Sequence, residues 1–312
     1  MDEDLSVYKL IKWGEACFKS KNIKNAFNES ASIMKYALKK SLEEIIISYN
    51  DKPALNKIKF FRRLVGRRSG CEPYAYIVNK KEFYSVDFFV NRSVLIPRPD
   101  TECLVDEALK EVKKLGRRLK RKIRILDLGT GSGAIAISIA KNSDNVIIYA
   151  ADNSVRSLNA ARKNIIANGV GDKVIPVYFN MLKPYASAQK SEYYSKDLDI
   201  GDFDNFDIIV SNPPYIETGE LKTLDPGVKF YEPFRALDGG MDGLRFYRKI
   251  FAQAAIRAKK RKSLILEIDY RKRNDIYSMY KEKFKNKDMK FKRMTFLNDI
   301  NNKERAVKII YG

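Results

Sequence analysis

The spacing of apolar residues divides the chain into a helical first part and an alternating second part. Across residues 4–70 apolar side chains recur every three or four positions, most clearly at 26–47. This spacing predicts amphipathic helices. Pro53 suits the first turn of a further helix, and Gly66 lies near its end. We therefore expect a small helical domain at residues 1–72, with the apolar stripes forming its core.

Residues 73–97 follow a different pattern. Apolar and aromatic residues run or alternate here, beginning with Tyr74–Val78, and Asn79–Lys81 has the composition of a turn. This pattern predicts a β-hairpin that links two domains. A helical period follows it, with Asp100 or Thr101 as the candidate N-cap.

Short apolar strands alternate with helical segments in the rest of the chain. The predicted strands lie at 123–128, 146–150, 174–178, 206–210 and 263–268, and two late segments at 290–296 and 306–311 could close the sheet as a hairpin. A helix is predicted at 241–258, whereas the polar stretch 183–205 has no clear period. This alternation is typical of an α/β domain with a mostly parallel, doubly wound sheet, here at residues 98–312.

The composition limits the class of protein. The 312 residues are 45% hydrophobic, and no apolar run approaches the ~20 residues of a membrane span. The acidic N-terminus does not have the pattern of a signal peptide. The three cysteines are an odd number without metal-ligand spacing, so we expect a cytoplasmic protein with no metal site and no membrane partner.

The charged and titratable residues limit the chemistry. The chain contains no histidine, so any catalysis must depend on positioning, carboxylates, tyrosines or backbone groups. The formal net charge of +21 is compatible with a nucleic-acid or ribosome-associated partner. It is spread along the helices and the C-terminal third, however, with its densest cluster at 110–124. We therefore favour solvated basic surfaces and expect no stable nucleic-acid partner.

The stretch Asn212-Pro213-Pro214-Tyr215 directly follows a predicted buried strand. Each proline restricts the residue before it to extended backbone, so the loop is stiff. It can direct the Asn212 carboxamide, the Pro213 carbonyl and the Tyr215 ring at one small volume. A plain strand-terminating turn is the alternative interpretation of the same residues.

Such a loop suits the transfer of a group to a planar nitrogen, which is a poor nucleophile because its lone pair is delocalised. The Asn212 side-chain oxygen and the Pro213 carbonyl could accept hydrogen bonds from the two N–H groups of this nitrogen. They would also stabilise the positive charge that develops on the nitrogen. The Tyr215 ring could stack on the flat group.

A second candidate site is the glycine-rich turn after the strand at 123–128. Its residues are Gly129, Thr130, Gly131, Ser132 and Gly133, and Asp152 ends the next strand, where an acidic residue can bind ribose hydroxyls. A nicotinamide cofactor is the rival interpretation. The tighter G-x-G-x-G spacing and the Asn212 loop, which belongs to the same edge of the sheet, favour S-adenosylmethionine.

Several stretches together resemble one known family. They are Leu95–Glu102, Ile125–Gly133, Asn212–Tyr215, Tyr231–Pro233 and Ala236–Leu244, in this order. They closely resemble the HemK/PrmC family of protein-glutamine methyltransferases over about residues 72–312. The N-terminal part fits that family by length and type only.

The resemblance implies a Rossmann-like class I methyltransferase fold with a small N-terminal helical domain that helps to bind the substrate. It implies that S-adenosylmethionine methylates the side-chain nitrogen (N5) of the glutamine in the Gly-Gly-Gln motif of class I peptide chain release factors. Carried over by position, the cofactor residues would be Gly129, Thr130, Gly131, Ser132, Gly133, Asp152, Met181 and Asn212. The substrate residues would be Asn212, Pro213, Pro214 and Tyr215, of which Asn212, Pro213 and Tyr215 would be catalytic.

The chain also departs from the family pattern. Asn180 stands where an acidic residue is usual near the adenine, Met181 where an aromatic residue is common, and Asp269 where a glycine is usual. Three other functions stay open: methylation of a glutamine in a ribosomal protein, adenine-N6 methylation of nucleic acid, and a fold that has lost its activity. Adenine methylation requires base flipping and usually a recognition domain.

Overall fold

The computed structural model describes residues 5–182, 192–193, 199–256, 261–283, 293–299 and 301–312, so most of the predicted loop at 183–205 lies outside the described residues. The α-helices are α1 Val7–Lys19, α2 Ala26–Leu38, α3 Leu42–Ile47, α4 Leu55–Ser69, α5 Tyr74–Val78, α6 Glu102–Gly116, α7 Ala134–Lys141, α8 Val155–Ala167, α9 Pro226–Lys229, α10 Arg245–Ile256 and α11 Arg273–Lys283. The strands are β1 Lys80–Phe83, β2 Val86–Phe89, β3 Ile123–Leu128, β4 Val146–Asp152, β5 Val174–Tyr178, β6 Ile208–Ser211, β7 Lys262–Glu267, β8 Arg293–Asn298 and β9 Glu304–Tyr311.

The chain forms two compact units. The first comprises Met1–Asn79 together with Asp225–Tyr231, and the second comprises Lys80–Leu224 and Glu232–Gly312. Helices α1, α2 and α4 contact one another in the first unit and bury the apolar stripes predicted for this region. Within the same unit, the hydroxyl of Tyr231 donates to the carbonyl of Gly70 at 2.7 Å.

The stretch 26–47, whose apolar spacing predicts helical structure, forms two separate helices in the structure. Helix α2 ends where Lys39 adopts a left-handed backbone conformation as its C-cap. Helix α3 then begins with a capping box, in which Ser41 accepts from the Glu44 backbone and Glu44 accepts from the Ser41 backbone. The Ser-x-x-Glu spacing is the sequence signature of such a start, so the break was visible in the sequence.

The predicted hairpin at 73–97 is wrong in its first part. Tyr74–Val78 is a helix, preceded by Pro73 and ended by Asn79 in the left-handed conformation. A five-residue apolar run fits either element, and here the proline before it and the asparagine after it provide helix boundaries. The hairpin itself is formed by β1 and β2, and its turn residues Tyr84 and Ser85 both have positive φ.

The second unit contains the predicted doubly wound sheet, which is confirmed. Its seven strands have the order β5-β4-β3-β6-β7-β9-β8. The first five are parallel, and β9 and β8 close the sheet as the antiparallel hairpin expected from the last apolar segments. Because β3 lies between β4 and β6, their carboxyl ends meet at one edge, where open α/β sheets bind ligands.

Helices cover both faces of this sheet. Tyr247 and Phe251 of α10 pack with Leu126, Leu266 and the α11 residue Ile276 in one buried core. Helices α6, α7 and α8 form a row of contacts on the opposite face. Helix α10 begins four residues later than predicted because Gly240 and Gly243 have positive φ, which extends the preceding loop. Its predicted end at 257–258 lies outside the described residues.

None of the described helices combines the length and the apolar character that a membrane crossing requires. Among the described residues, no group of Cys, Asp and Glu side chains could hold a metal ion.

Candidate functional site

A pocket lies at the carboxyl ends of β3, β4 and β6. Its empty space is about 720 Å³, a volume that includes open solvent at its mouth. Its lining contains the following predicted site residues: Gly129, Gly131, Asp152, Met181, Asn212, Pro213 and Pro214. The candidate cofactor turn (129–133) and the Asn-Pro-Pro-Tyr loop at 212–215, here called the transfer loop, therefore share one cavity.

The glycine turn exposes its backbone to this pocket. Gly129 has a φ of +73°, and a Cβ added there would meet no atom within 4 Å, so a side chain would project into open space. A buried hydrogen bond stabilises the turn, because the Thr130 hydroxyl donates to the Asp127 carboxylate at 2.6 Å. Burial raises the pKa of Asp127 to about 7, whereas the bond from Thr130 lowers it.

Asp152 lies at the end of β4 and connects two loops. Its carboxylate oxygens accept the backbone N–H of Gly131 at 3.0 Å and of Ser154 at 2.9 Å. Burial raises its pKa, and these two backbone hydrogen bonds and the nearby Arg235 guanidinium lower it. Each carboxylate oxygen can accept more than one hydrogen bond, so Asp152 can also accept from a ligand's hydroxyls.

The loop from Asn212 to Tyr215 is tied down from both sides. The Ser211 hydroxyl before it donates to the Leu128 carbonyl of β3 at 2.6 Å. After it, Ile216 forms a short parallel bridge with Asp238. Gly243 has a φ of +72°, and a Cβ there would lie 2.4 Å from the Tyr215 carbonyl oxygen. Only glycine permits this approach, which explains why the glycine-rich stretch 239–243 accompanies the Asn-Pro-Pro-Tyr sequence.

The stretches Leu95–Glu102 and Tyr231–Pro233, both noted in the sequence, meet beside the pocket. Arg98, between two prolines, forms an ion pair with Glu232, whose side chain is almost wholly buried. Glu232 also accepts the Ile96 backbone N–H at 3.4 Å. Burial raises the pKa of Glu232, while Arg98 lowers it. Leu95 and Pro233 from the same two stretches line the pocket, so this ion pair supports part of its wall.

The side chain of Asn212 is oriented by residues that the sequence interpretation did not assign to the site. Its amide nitrogen donates to the Thr101 hydroxyl oxygen at 3.2 Å, and that hydroxyl donates to the Glu267 carboxylate at 2.6 Å. Thr101 was predicted as a candidate helix cap, yet it makes no side-chain cap hydrogen bond to α6. Its hydroxyl is directed to Glu267 instead.

Glu267 connects both ends of the transfer loop. Its other carboxylate oxygen accepts from the Tyr215 hydroxyl at 3.3 Å, and its backbone carbonyl accepts from the Tyr247 hydroxyl at 2.7 Å. Burial raises the pKa of Glu267 to about 7, and the hydrogen bond from Thr101, the Arg305 charge and the bond from Tyr215 lower it. Burial also raises the pKa of Tyr215, so this phenol is neutral at ordinary pH.

Several predicted residues lie next to the pocket without lining it. Thr130 and Ser132 are buried, Gly133 caps α7 and packs against Ala161, and the Tyr215 hydroxyl points to Glu267. Conversely, Phe179, Phe246 and Arg235 line the pocket and were not predicted. Phe179 follows β5, so it lies at the same edge of the sheet as Asp152. The order of the strands could therefore have indicated Phe179, although no local sequence pattern does. The ligand roles of all these residues stay predictions.

Comparison with known proteins identifies the family. Residues 9–78 match the PrmC N-terminal domain, and residues 109–225 match the methyltransferase small domain. The chain is 37% identical to the release factor glutamine methyltransferase of Geobacter sulfurreducens, over 80% of this chain and 79% of the relative. It is 30% identical to that of Bacillus anthracis, over 97% of this chain and 98% of the relative.

The chain belongs to the release factor glutamine methyltransferase family. The family resemblance predicted from the sequence motifs is thereby confirmed, and the chain is a methyltransferase. Among solved structures, the catalytic domain of hMettl16 in complex with hairpin 6 of the MAT2A 3′UTR has a TM-score of 0.51 and 14% identity, covering 80% of this chain and 81% of that one. At this identity the likeness concerns the methyltransferase fold only.

Proposed function

We propose that this protein methylates the side-chain amide nitrogen (N5) of the glutamine in the Gly-Gly-Gln motif of class I peptide chain release factors. The relatives from Geobacter and Bacillus carry the name release factor glutamine methyltransferase, and the similarity to the Bacillus protein extends over nearly the whole chain. We also propose that the reaction takes place in the cytoplasm, where these factors act, without a nucleic-acid partner.

The residues around the pocket fit S-adenosylmethionine, which when bound supplies an electrophilic methyl group. The open space in front of Gly129 would admit the cofactor close to the backbone. Asp152 would bind the ribose hydroxyls with the acceptor capacity left beyond Gly131 and Ser154. Met181 and Phe179 provide apolar surface for a flat base.

The substrate amide would be held by Asn212 and Pro213. Asn212 lines the same pocket as Gly129 and Asp152, which is the observation that carries this proposal. Since its amide nitrogen donates to Thr101, its oxygen is the end that can accept a substrate N–H. The Pro213 carbonyl would accept the second N–H, and both acceptors favour positive charge on the nitrogen. That nitrogen becomes acidic as it gains the methyl group, so it can lose a proton to water without a histidine.

We expect radiolabelled methyl transfer from S-adenosylmethionine to a class I release factor that carries Gly-Gly-Gln. The same assay should include a release factor with Gly-Gly-Ala, ribosomal proteins, DNA and RNA. Label on the first substrate alone supports the proposal. Label on a ribosomal protein or on nucleic acid, with none on the release factor, would replace it with one of the alternative functions.

We propose the first unit as the substrate-recognition domain, with α3 as a contact surface. Leu42, Ile46 and Ile47 of this short helix are all exposed, Ile47 to 84%, and exposed apolar residues that lie together mark interaction sites. We expect Ile47→Asp to lower kcat/KM for the intact release factor on the order of 10-fold, as losing an apolar interface contact commonly does. Cofactor affinity should not change.

Ile166→Asp is the matched control for this prediction. Ile166 is 70% exposed on α8 of the second unit, so the substitution adds the same charge at a similarly exposed apolar position. Steady-state kinetics with the intact release factor would compare the two variants. Equal kcat/KM values for Ile47→Asp and the parent protein would show that α3 does not contact the substrate.

A further inference from the structure

Thr101 and Glu267 form a buried hydrogen-bond chain that ends at Asn212. Thr101 is 5% exposed and Glu267 is 2% exposed, and neither lines the pocket. They come from distant parts of the second unit, the turn before α6 and the end of β7. Their hydrogen bond is short, at 2.6 Å, which is the usual length when a hydroxyl donates to a carboxylate.

The direction of each hydrogen bond in this chain follows from the number of protons available. A threonine hydroxyl has one hydrogen, and the Glu267 carboxylate has none when it is ionised, above its pKa of about 7. Since the Thr101 hydrogen is directed at Glu267, the Thr101 oxygen can only accept from Asn212. The carboxamide of Asn212 must therefore present its NH₂ group to Thr101.

This constraint matters because a carboxamide has two ends of similar size and opposite hydrogen-bonding character. With its NH₂ group held by Thr101, Asn212 keeps its oxygen as an acceptor. In the reversed orientation the NH₂ group would face the substrate amide and repel both its N–H bonds and the charge that develops on nitrogen. Glu267 also holds Tyr215 at the other end of the same loop.

We propose that Thr101 and Glu267 are positioning residues that fix the orientation of the Asn212 carboxamide, so that its oxygen is available to the substrate nitrogen. The inference rests on the proposed function, because it assumes that Asn212 accepts a substrate N–H. Thr101 and Glu267 act through Asn212 and contact neither the substrate nor the cofactor.

A double-mutant cycle tests this assignment. Thr101→Val replaces the hydroxyl with a methyl group of similar size and leaves the orientation of Asn212 unspecified. We expect kcat for release factor methylation to fall on the order of 10-fold, the usual value of one neutral hydrogen bond, while cofactor affinity in calorimetric titration stays at the parent value. Thr101→Ser keeps the hydroxyl and should keep kcat within a few-fold of the parent.

The decisive comparison is made in an Asn212→Ala background. If Thr101 acts only through Asn212, Thr101→Val should have no further effect there, because the group that it orients is absent. An equal loss of kcat in both backgrounds, or a Thr101→Val enzyme at the parent rate, would overturn the assignment. Should Thr101→Val fail to fold, the smaller Thr101→Ala takes its place in the same cycle.

This design separates the failure of the inference from the failure of the proposed function. If Asn212→Ala alone retains the parent rate, the proposed role of Asn212 is wrong, and the assignment of Thr101 and Glu267 falls with it. If Asn212→Ala loses turnover and Thr101→Val acts independently of it, the proposed function holds and only the positioning role is rejected.

Discussion

Replacement of Asp152 by alanine is expected to weaken the binding of S-adenosylmethionine by about 1.5–3 kcal/mol, the range for hydrogen bonds to a charged group. The carboxylate is buried at the end of β4 and lines the pocket, so a ligand hydroxyl bound there would be shielded from water. This loss corresponds to a roughly 10- to 150-fold higher dissociation constant. Calorimetric titration of the cofactor would measure it directly.

The Asp152 carboxylate also accepts the backbone N–H groups of Gly131 and Ser154, so the variant could lose loop order as well as a ligand contact. Thermal unfolding separates the two effects, because a purely structural change would lower the unfolding temperature without cofactor. Asp172→Ala is the matched control, since Asp172 is an exposed carboxylate in the turn before β5. A folded Asp152→Ala protein with parent affinity would remove Asp152 from the cofactor site.

The edge of the sheet where the pocket lies could be predicted from sequence because it depends on local patterns. The strand and helix periods place the glycine turn after β3, Asp152 at the end of β4 and Asn212 after β6. In a parallel sheet the carboxyl ends of neighbouring strands share one edge, so these residues had to lie near one another. The structure places all of them around one cavity.

The hydrogen bonds by which Thr101 and Glu267 hold the transfer loop could not be predicted in the same way. Thr101 and Glu267 are separated by 166 positions, and neither has a local pattern that indicates its partner. Thr101 precedes a helix, which made a capping role the natural expectation. Glu267 ends an apolar strand, and its significance depends on complete burial, which only the packing of α10 and β9 around β7 determines.

The placement of the segment 225–231 could not be predicted from local sequence patterns either. It is separated from the first unit by well over a hundred positions, yet it belongs to that unit, where Tyr231 donates to the Gly70 carbonyl. Its sequence has no helical or strand period that indicates this association. Glu232, the next residue, belongs to the second unit and pairs there with Arg98. Adjacent residues of one motif therefore serve different units.

Replacement of Asn212 by alanine is expected to lower kcat on the order of 10²–10³-fold, which is the usual loss when one preorganised transition-state group is removed. The Asn212 oxygen accepts a substrate N–H more strongly as the nitrogen becomes positive, so its loss affects the transition state more than the ground state. KM for the release factor should therefore change little. Single-turnover methyl transfer with a saturating release factor would measure this effect apart from binding.

A matched control for this variant is Asn142→Ala. Asn142 also donates through its side-chain amide, to the Ser138 carbonyl at 2.8 Å, but it lies at the exposed end of α7 and does not line the pocket. The control removes a comparable carboxamide and a comparable hydrogen bond. We expect its kcat to equal that of the parent protein.

The Asn212→Asp variant tests separately whether catalysis needs an acceptor at position 212 and whether it needs the side chain to be oriented by Thr101. Aspartate supplies an acceptor for the substrate N–H, so the variant should be more active than Asn212→Ala. It has no NH₂ group to donate to Thr101, however, and it places a second carboxylate near Glu267. Its activity should therefore remain below that of the parent. An Asn212→Ala enzyme that is folded, binds S-adenosylmethionine and methylates glutamine at the parent rate would contradict this mechanism, because no other described side chain of the loop offers a carboxamide acceptor to the pocket.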